Sequence, residues 1–146
     1  MSILNLKHTG ISVMDLEKTI EFYEFLGMKL LKRLRLDEAY CCNCKNLYLL
    51  PDGTSADVCF MEADNGTQIE FFQFNSPQPF VPSAWSKAGY THISFQTDDI
   101  DSMYRKVTDL GCKILLPLTK GLTQTFFFFS DPEGRTVEIG CPYSGL

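Results

Sequence analysis

The stretch Gly89–Gly111, GYTHISFQTDDIDSMYRKVTDLG, decides the fold, because its pattern has already occurred once, in His8–Gly27, HTGISVMDLEKTIEFYEFLG. His8, Asp15 and Gly27 are answered by His92, Asp99 and Gly111, each 84 residues later. The tails agree as well, GMKLL at Gly27 with GCKIL at Gly111. A second correspondence closes each half: NGTQIE ends at Glu70 and EGRTVE ends at Glu138, 68 residues apart. The offset falls from 84 to 68, so the first half holds 16 more residues before its last strand. One repeat of this length is a tandem module and not a solenoid.

Each copy reads as a strand, a helix and three further strands. Leu4 to Val13 alternates as a strand, with Leu6, His8, Gly10 and Ser12 on one face and Ile11 and Val13 on the other. Asp15 is a suitable N-cap for a helix to about Leu26, whose stripe of Leu16, Ile20 and Tyr23 is widened by Phe22 and Phe25. Gly27 supplies the left-handed stop. Met28 to Leu36 alternates as a half-exposed strand. Asp57 to Glu62 and Thr67 to Phe74 read as strands joined at Asp64-Asn65-Gly66, a strong hairpin signal.

The second copy repeats the order. Tyr90 to Thr97 is a strand, Asp98 or Asp99 caps a helix with the stripe Ile100, Met103, Tyr104, Val107 and Leu110, and Gly111 stops it. Cys112 to Leu116 and Thr123 to Ser130 follow, the latter apolar on both faces and so expected to be deeply buried. A turn at Asp131-Pro132-Glu133-Gly134 leads to the last strand, Arg135 to Gly140. The expected class is α+β: two tandem βαβββ modules forming a curved mixed sheet with a central cleft. One domain spans 1–146, with modules at 3–74 and 89–142 and a Pro-rich linker at 75–88. Trp85, the single tryptophan, is expected to pack on the domain from that linker.

Composition narrows the function. Hydrophobic content of 45% and charged content of 21% are ordinary for a globular chain. A net charge of -5 argues against nucleic acid and against an acidic membrane surface as partners. No stretch approaches a membrane span, and the first residues lack a signal-like apolar run, so a cytoplasmic location is expected. The six cysteines show no disulfide framework. Cys41-Cys42-Asn43-Cys44 lacks the second Cys or His pair of a zinc site and reads as small side chains on a strand or loop.

Parity then places four polar residues. In both first strands the residues three and five after the histidine, Ile11 and Val13 or Phe95 and Thr97, point away from it, so His8 and His92 are expected to face the concave side. Glu70 shares its face with Gln68, Phe72 and Phe74, and Glu138 shares its face with Thr136 and Gly140. These are the only two histidines, and each copy adds one glutamate at its matching place. Four polar groups in a partly apolar cup are costly unless satisfied, and one divalent cation held by His8, Glu70, His92 and Glu138 satisfies them together. Two nitrogens and two oxygens suit nickel, cobalt, zinc, iron(II) or manganese, and leave octahedral positions open to substrate.

HTGISVMDLEKTIEFYEFLGMKLL, IEFFQF, GYTHISFQTDDID and DPEGRTVEIGCP together resemble the vicinal-oxygen-chelate superfamily, the glyoxalase/bleomycin-resistance/dioxygenase fold, over His8 to Cys141. The ligand order is similar to that of bacterial glyoxalase I. The resemblance implies a metal-dependent lyase or isomerase of the lactoylglutathione lyase type, working by proton transfer through a metal-bound enediolate. It also implies Glu138 as base with Glu70 as its mirror partner, nickel, cobalt or zinc ahead of iron or manganese, a small-molecule substrate and a homodimer. Phe72, Phe74 and Phe128 are candidates for an apolar wall. Ser12 stands where the resemblance implies an arginine for a glutathione carboxylate. Other members imply other chemistries: epimerisation, extradiol-type ring cleavage, or drug binding without catalysis.

Overall fold

The computed structural model describes residues 2, 3 and 5–144, without the Tyr48 side chain. Two units follow one another, the first ending at Pro79 and the second beginning at Phe80. The first runs β1 (His8–Ser12), α1 (Leu16–Leu26), β2 (Lys29–Leu36), two short helices α2 (Glu38–Asn43) and α3 (Lys45–Tyr48), β3 (Ala56–Glu62) and β4 (Gln68–Phe74). The second runs β5 (Ile93–Gln96), α4 (Ile100–Asp109), β6 (Ile114–Lys120), β7 (Gln124–Ser130) and β8 (Thr136–Pro142). Each unit has its own four-stranded mixed sheet, in the orders β1-β4-β3-β2 and β5-β8-β7-β6. In both, the first strand lies parallel to the last and the other pairs are antiparallel. The duplication read from the two offsets is therefore a duplication of topology.

The helix ends follow from local chemistry. The Asp15 carboxylate accepts from the Lys18 N–H at 3.0 Å, and the Asp99 carboxylate accepts from the Ser102 N–H at 2.9 Å. Gly27 and Gly111 take φ of 111° and 78°, which lets the chain turn back on the last carbonyls. Met28 N–H then bonds Tyr23 O at 2.9 Å and Cys112 N–H bonds Val107 O at 3.3 Å, the same closure in both units.

Between helix and sheet lies the core of each unit. Ile69 and Phe71 of β4 are buried against α1, with Tyr23 and Phe71 ring centroids 4.9 Å apart. In the second unit Phe127, Phe129, Val137 and Ile139 are buried, and Tyr104 meets Phe127 edge-on at 5.0 Å. Phe25 and Leu110, expected on the stripes, lie at their margins and are exposed.

Three expectations are corrected. The first strand was expected from Leu4, which lies outside the described residues; pairing starts at His8, where β4 begins. The Cys41–Cys44 cluster lies on and just after α2 and not on a strand. Asp37 caps that helix through the Tyr40 N–H, and Cys41 is buried while Cys42 is exposed. These two helices take up much of the extra length of the first half. Finally, β7 is not buried on both faces: Phe127 and Phe129 face α4, whereas Phe126 and Phe128 are half-buried.

The turn before β8 is fastened from within. The Asp131 carboxylate accepts from the N–H groups of Glu133 and Arg135 at 3.0 and 2.8 Å, and the Arg135 guanidinium bridges Asp131 and Glu133. Arg135 and Asp131 side chains are 5% and 3% exposed, so neither can lose its partner cheaply. Two stability predictions follow from this packing and are read from denaturant midpoints. Phe127→Ala should cost about 3–5 kcal/mol, as a large buried ring replaced by a cavity does. Arg135→Leu should cost about 3–5 kcal/mol, because two largely buried carboxylates lose the guanidinium that bridges them.

Candidate metal centre

The parallel pairing of the first and last strands is what brings each histidine to its glutamate. Gly10 lies opposite Glu70 and Ser94 lies opposite Glu138 in register, so each carboxylate has a small residue across from it and can lean toward the histidine two positions back. His8 Nε2 sits 3.2 Å from Glu70 Oε2. His92 Nε2 sits 3.1 Å from Glu138 Oε2. The glutamates are largely buried, at 17% and 11% side-chain exposure, so each needs a partner.

Among the described residues of neither unit do three or more His, Cys, Asp or Glu side chains gather as a metal cluster. Each unit instead contributes one nitrogen and one oxygen. Donors about 2.1 Å from one ion and at right angles to each other lie about 3.0 Å apart, so both pairs have the separation of neighbouring ligands. The same separation serves a hydrogen bond from Nε2–H to the carboxylate. The donor types fit a borderline divalent ion, and two donors are too few to hold one. Each unit by itself thus presents one histidine–glutamate pair.

The halves differ in their supports. In the second unit the Thr91 hydroxyl lies 3.0 Å from His92 Nδ1, and the Gln124 amide donates to Glu138 Oε1 at 2.9 Å. Trp85 stacks on the His92 ring at 5.0 Å and 11°, and Phe128 meets that ring edge-on at 5.4 Å. In the first unit His8 packs edge-on against Phe60 at 5.5 Å, and its Nδ1 is buried with no hydrogen-bond partner among the described residues. Sequence reading missed Gln124 and Thr91. Thr91 adjoins the histidine in the chain, which was a usable signal; Gln124 gave none until the strand pairing was known. Phe128, a candidate for an apolar wall, lies against the His92 ring.

The cysteines supply no further ligands of note. Burial pushes the Cys41 and Cys112 thiols up and takes Cys59 to about 11, so these three stay protonated and poorly nucleophilic at neutral pH.

Beside the first pair, on the same sheet face, a cavity of about 400 Å³ opens along β1 and β4. Gly10, Ser12, Phe72, Phe74 and Leu50 line it, and no charged side chain does. Phe72 and Phe74 stack at 5.9 Å and 6°, giving it one flat aromatic wall. A Cβ at Gly10 would meet Phe72 at 3.4 Å, close to ordinary contact.

Comparison with known proteins agrees with this architecture. The sequence profile of the Glyoxalase/Bleomycin resistance protein/Dioxygenase superfamily matches residues 5–139. Lactoylglutathione lyase of Schizosaccharomyces pombe is 29% identical over 148 residues, covering 95% of this chain; the chain spans 48% of that enzyme's length. A probable lactoylglutathione lyase of Synechocystis is 27% identical, with 92% of each chain covered. In fold, a glyoxalase family protein from Bacillus cereus superposes with a TM-score of 0.83 at 19% identity, covering 99% of this chain and 97% of that one. The duplicated βαβββ topology and the matched span lead to one conclusion: the chain belongs to the glyoxalase/bleomycin resistance protein/dioxygenase superfamily.

Proposed function

We propose that the chain is a divalent-metal-dependent lyase or isomerase of the glyoxalase I type, acting on a small molecule with oxygens on adjacent carbons. The observation that carries this reading is the pair of matched half-sites, His8 with Glu70 and His92 with Glu138, each with ligand-like separation. Together they would hold nickel, cobalt or zinc, with iron or manganese as weaker fits. Lactoylglutathione lyases among the relatives support the reaction class.

When bound, the ion supplies Lewis acidity to the substrate oxygens and so acidifies the C–H between them. The rest falls to the chain. Glu138 takes the proton from one carbon and returns it to the next, with Glu70 as its mirror partner. Phe128 and Trp85 shield the His92 side from water, which strengthens the electrostatics of the transfer. The cavity against Phe72 and Phe74 receives an apolar substituent. Its described lining offers a carboxylate the polar groups of Ser12, Ser76 and Gln78 and no cationic side chain. A homodimer is part of the proposal, since the half-sites of two copies can be shared as readily as those of one.

Elemental analysis of untreated protein should give one ion per chain, whichever way the halves pair. His8→Ala or His92→Ala alone should abolish tight binding and methylglyoxal–thiol turnover. Two ions per chain with one lost in each variant, or full turnover after chelation, would overturn the shared centre. For the cavity, Phe72→Ser should lower kcat/KM for phenylglyoxal adducts about tenfold relative to methylglyoxal adducts, the scale of a lost apolar contact. An unchanged ratio would remove the cavity from substrate binding.

A further inference from the structure

We infer that Gln124 is a positioning residue for Glu138, fixing which carboxylate oxygen is offered to the ion, and that Gly140 is glycine to make room for it. The inference rests on the proposed metal centre. Gln124 begins β7 and Glu138 lies in the middle of β8, and the two strands are antiparallel neighbours with Phe126 opposite Gly140 and Phe128 opposite Glu138. Side chains at 124 and 138 are therefore not opposite each other. To reach Glu138 the Gln124 side chain must run along the sheet surface over residue 140. It does so: its Nε2 donates to Glu138 Oε1 at 2.9 Å, and its amide lies over the Gly140 backbone. A Cβ at 140 would come within 2.8 Å of Gln124 Cδ and closer still to Oε1, so any other residue there would dislodge the amide.

The consequence is a carboxylate with both oxygens assigned. Oε1 is taken by the amide, and Oε2 faces His92 Nε2 at 3.1 Å. An outer partner that occupies one oxygen fixes the carboxylate plane and leaves the other as a single-oxygen ligand, and such partners commonly govern metal affinity. The two units differ at this place. By strand register the counterpart of Gln124 in the first unit is Ala56, opposite Phe74, which cannot donate a side-chain hydrogen bond. The tether thus belongs to the second half-site alone.

The test measures metal binding and not turnover. Cobalt(II) is titrated into demetallated protein by calorimetry, and the visible cobalt absorption is recorded for wild type, Gln124→Met, Gly140→Ala and the double variant. Methionine keeps the length and bulk of glutamine and removes only the amide. Gln124→Met should weaken cobalt binding at least about tenfold, the usual loss for an outer partner, with an altered cobalt spectrum. Gly140→Ala, which leaves glutamine in place but fills its seat, should give a similar loss. The double variant should be no weaker than the worse single one, because both act through one contact. Equal affinity and an unchanged spectrum for Gln124→Met would overturn the inference alone, as would full additivity of the two changes. Failure of the wild-type protein to bind cobalt at all would overturn the metal centre and the inference with it. Thermal melts of the apo forms guard against a folding artefact. If Gly140→Ala does not fold, Gln124→Met decides by itself.

Discussion

A carboxylate that points away from the helix on a half-buried strand must be met by something, and in each unit the parallel neighbour meets it with an imidazole. That single pairing sets much else. It requires the first strand to lie beside the last, which fixes the order of the sheet. It requires small residues, Gly10 and Ser94, opposite the glutamates. It leaves the other face of the same strands largely apolar, and there Ile69, Phe71, Val137 and Ile139 build the two cores. Period-two alternation separates the stabilising face from the chemical face one residue at a time.

The two units have diverged around this common frame. The first has kept its histidine with little support and gained a cavity, an aromatic wall and two extra helices. The second has kept compact connections and surrounded its histidine and glutamate with Thr91, Trp85, Phe128 and Gln124. One half is built for space and the other for grip.

Much of this was legible in the sequence because it was written twice. The equal offsets of His8, Asp15 and Gly27 from their counterparts located the strand, the cap and the stop in both copies, and parity alone put histidines and glutamates on one face. What was not legible depends on contacts between residues distant in the chain. Gln124 acquires its role only when Gly140 leaves a recess on the neighbouring strand. The Cys41 segment, expected to be small side chains on a strand or loop, is a short helix, and the decisive signal was the cap at Asp37. The four phenylalanines of β7 suggested burial on both faces. Half of them instead lie half-buried on the face that carries His92 and Glu138.

Trp85 comes from a segment with neither helix nor strand, yet it lies flat on an imidazole that the proposed centre uses. It is the only indole in the chain. Its emission therefore comes from a single place, in van der Waals range of a ring whose electronic state changes whenever something binds there. The molecule carries a native optical probe of its own second half-site, and a quenching ion would be seen by it without any label.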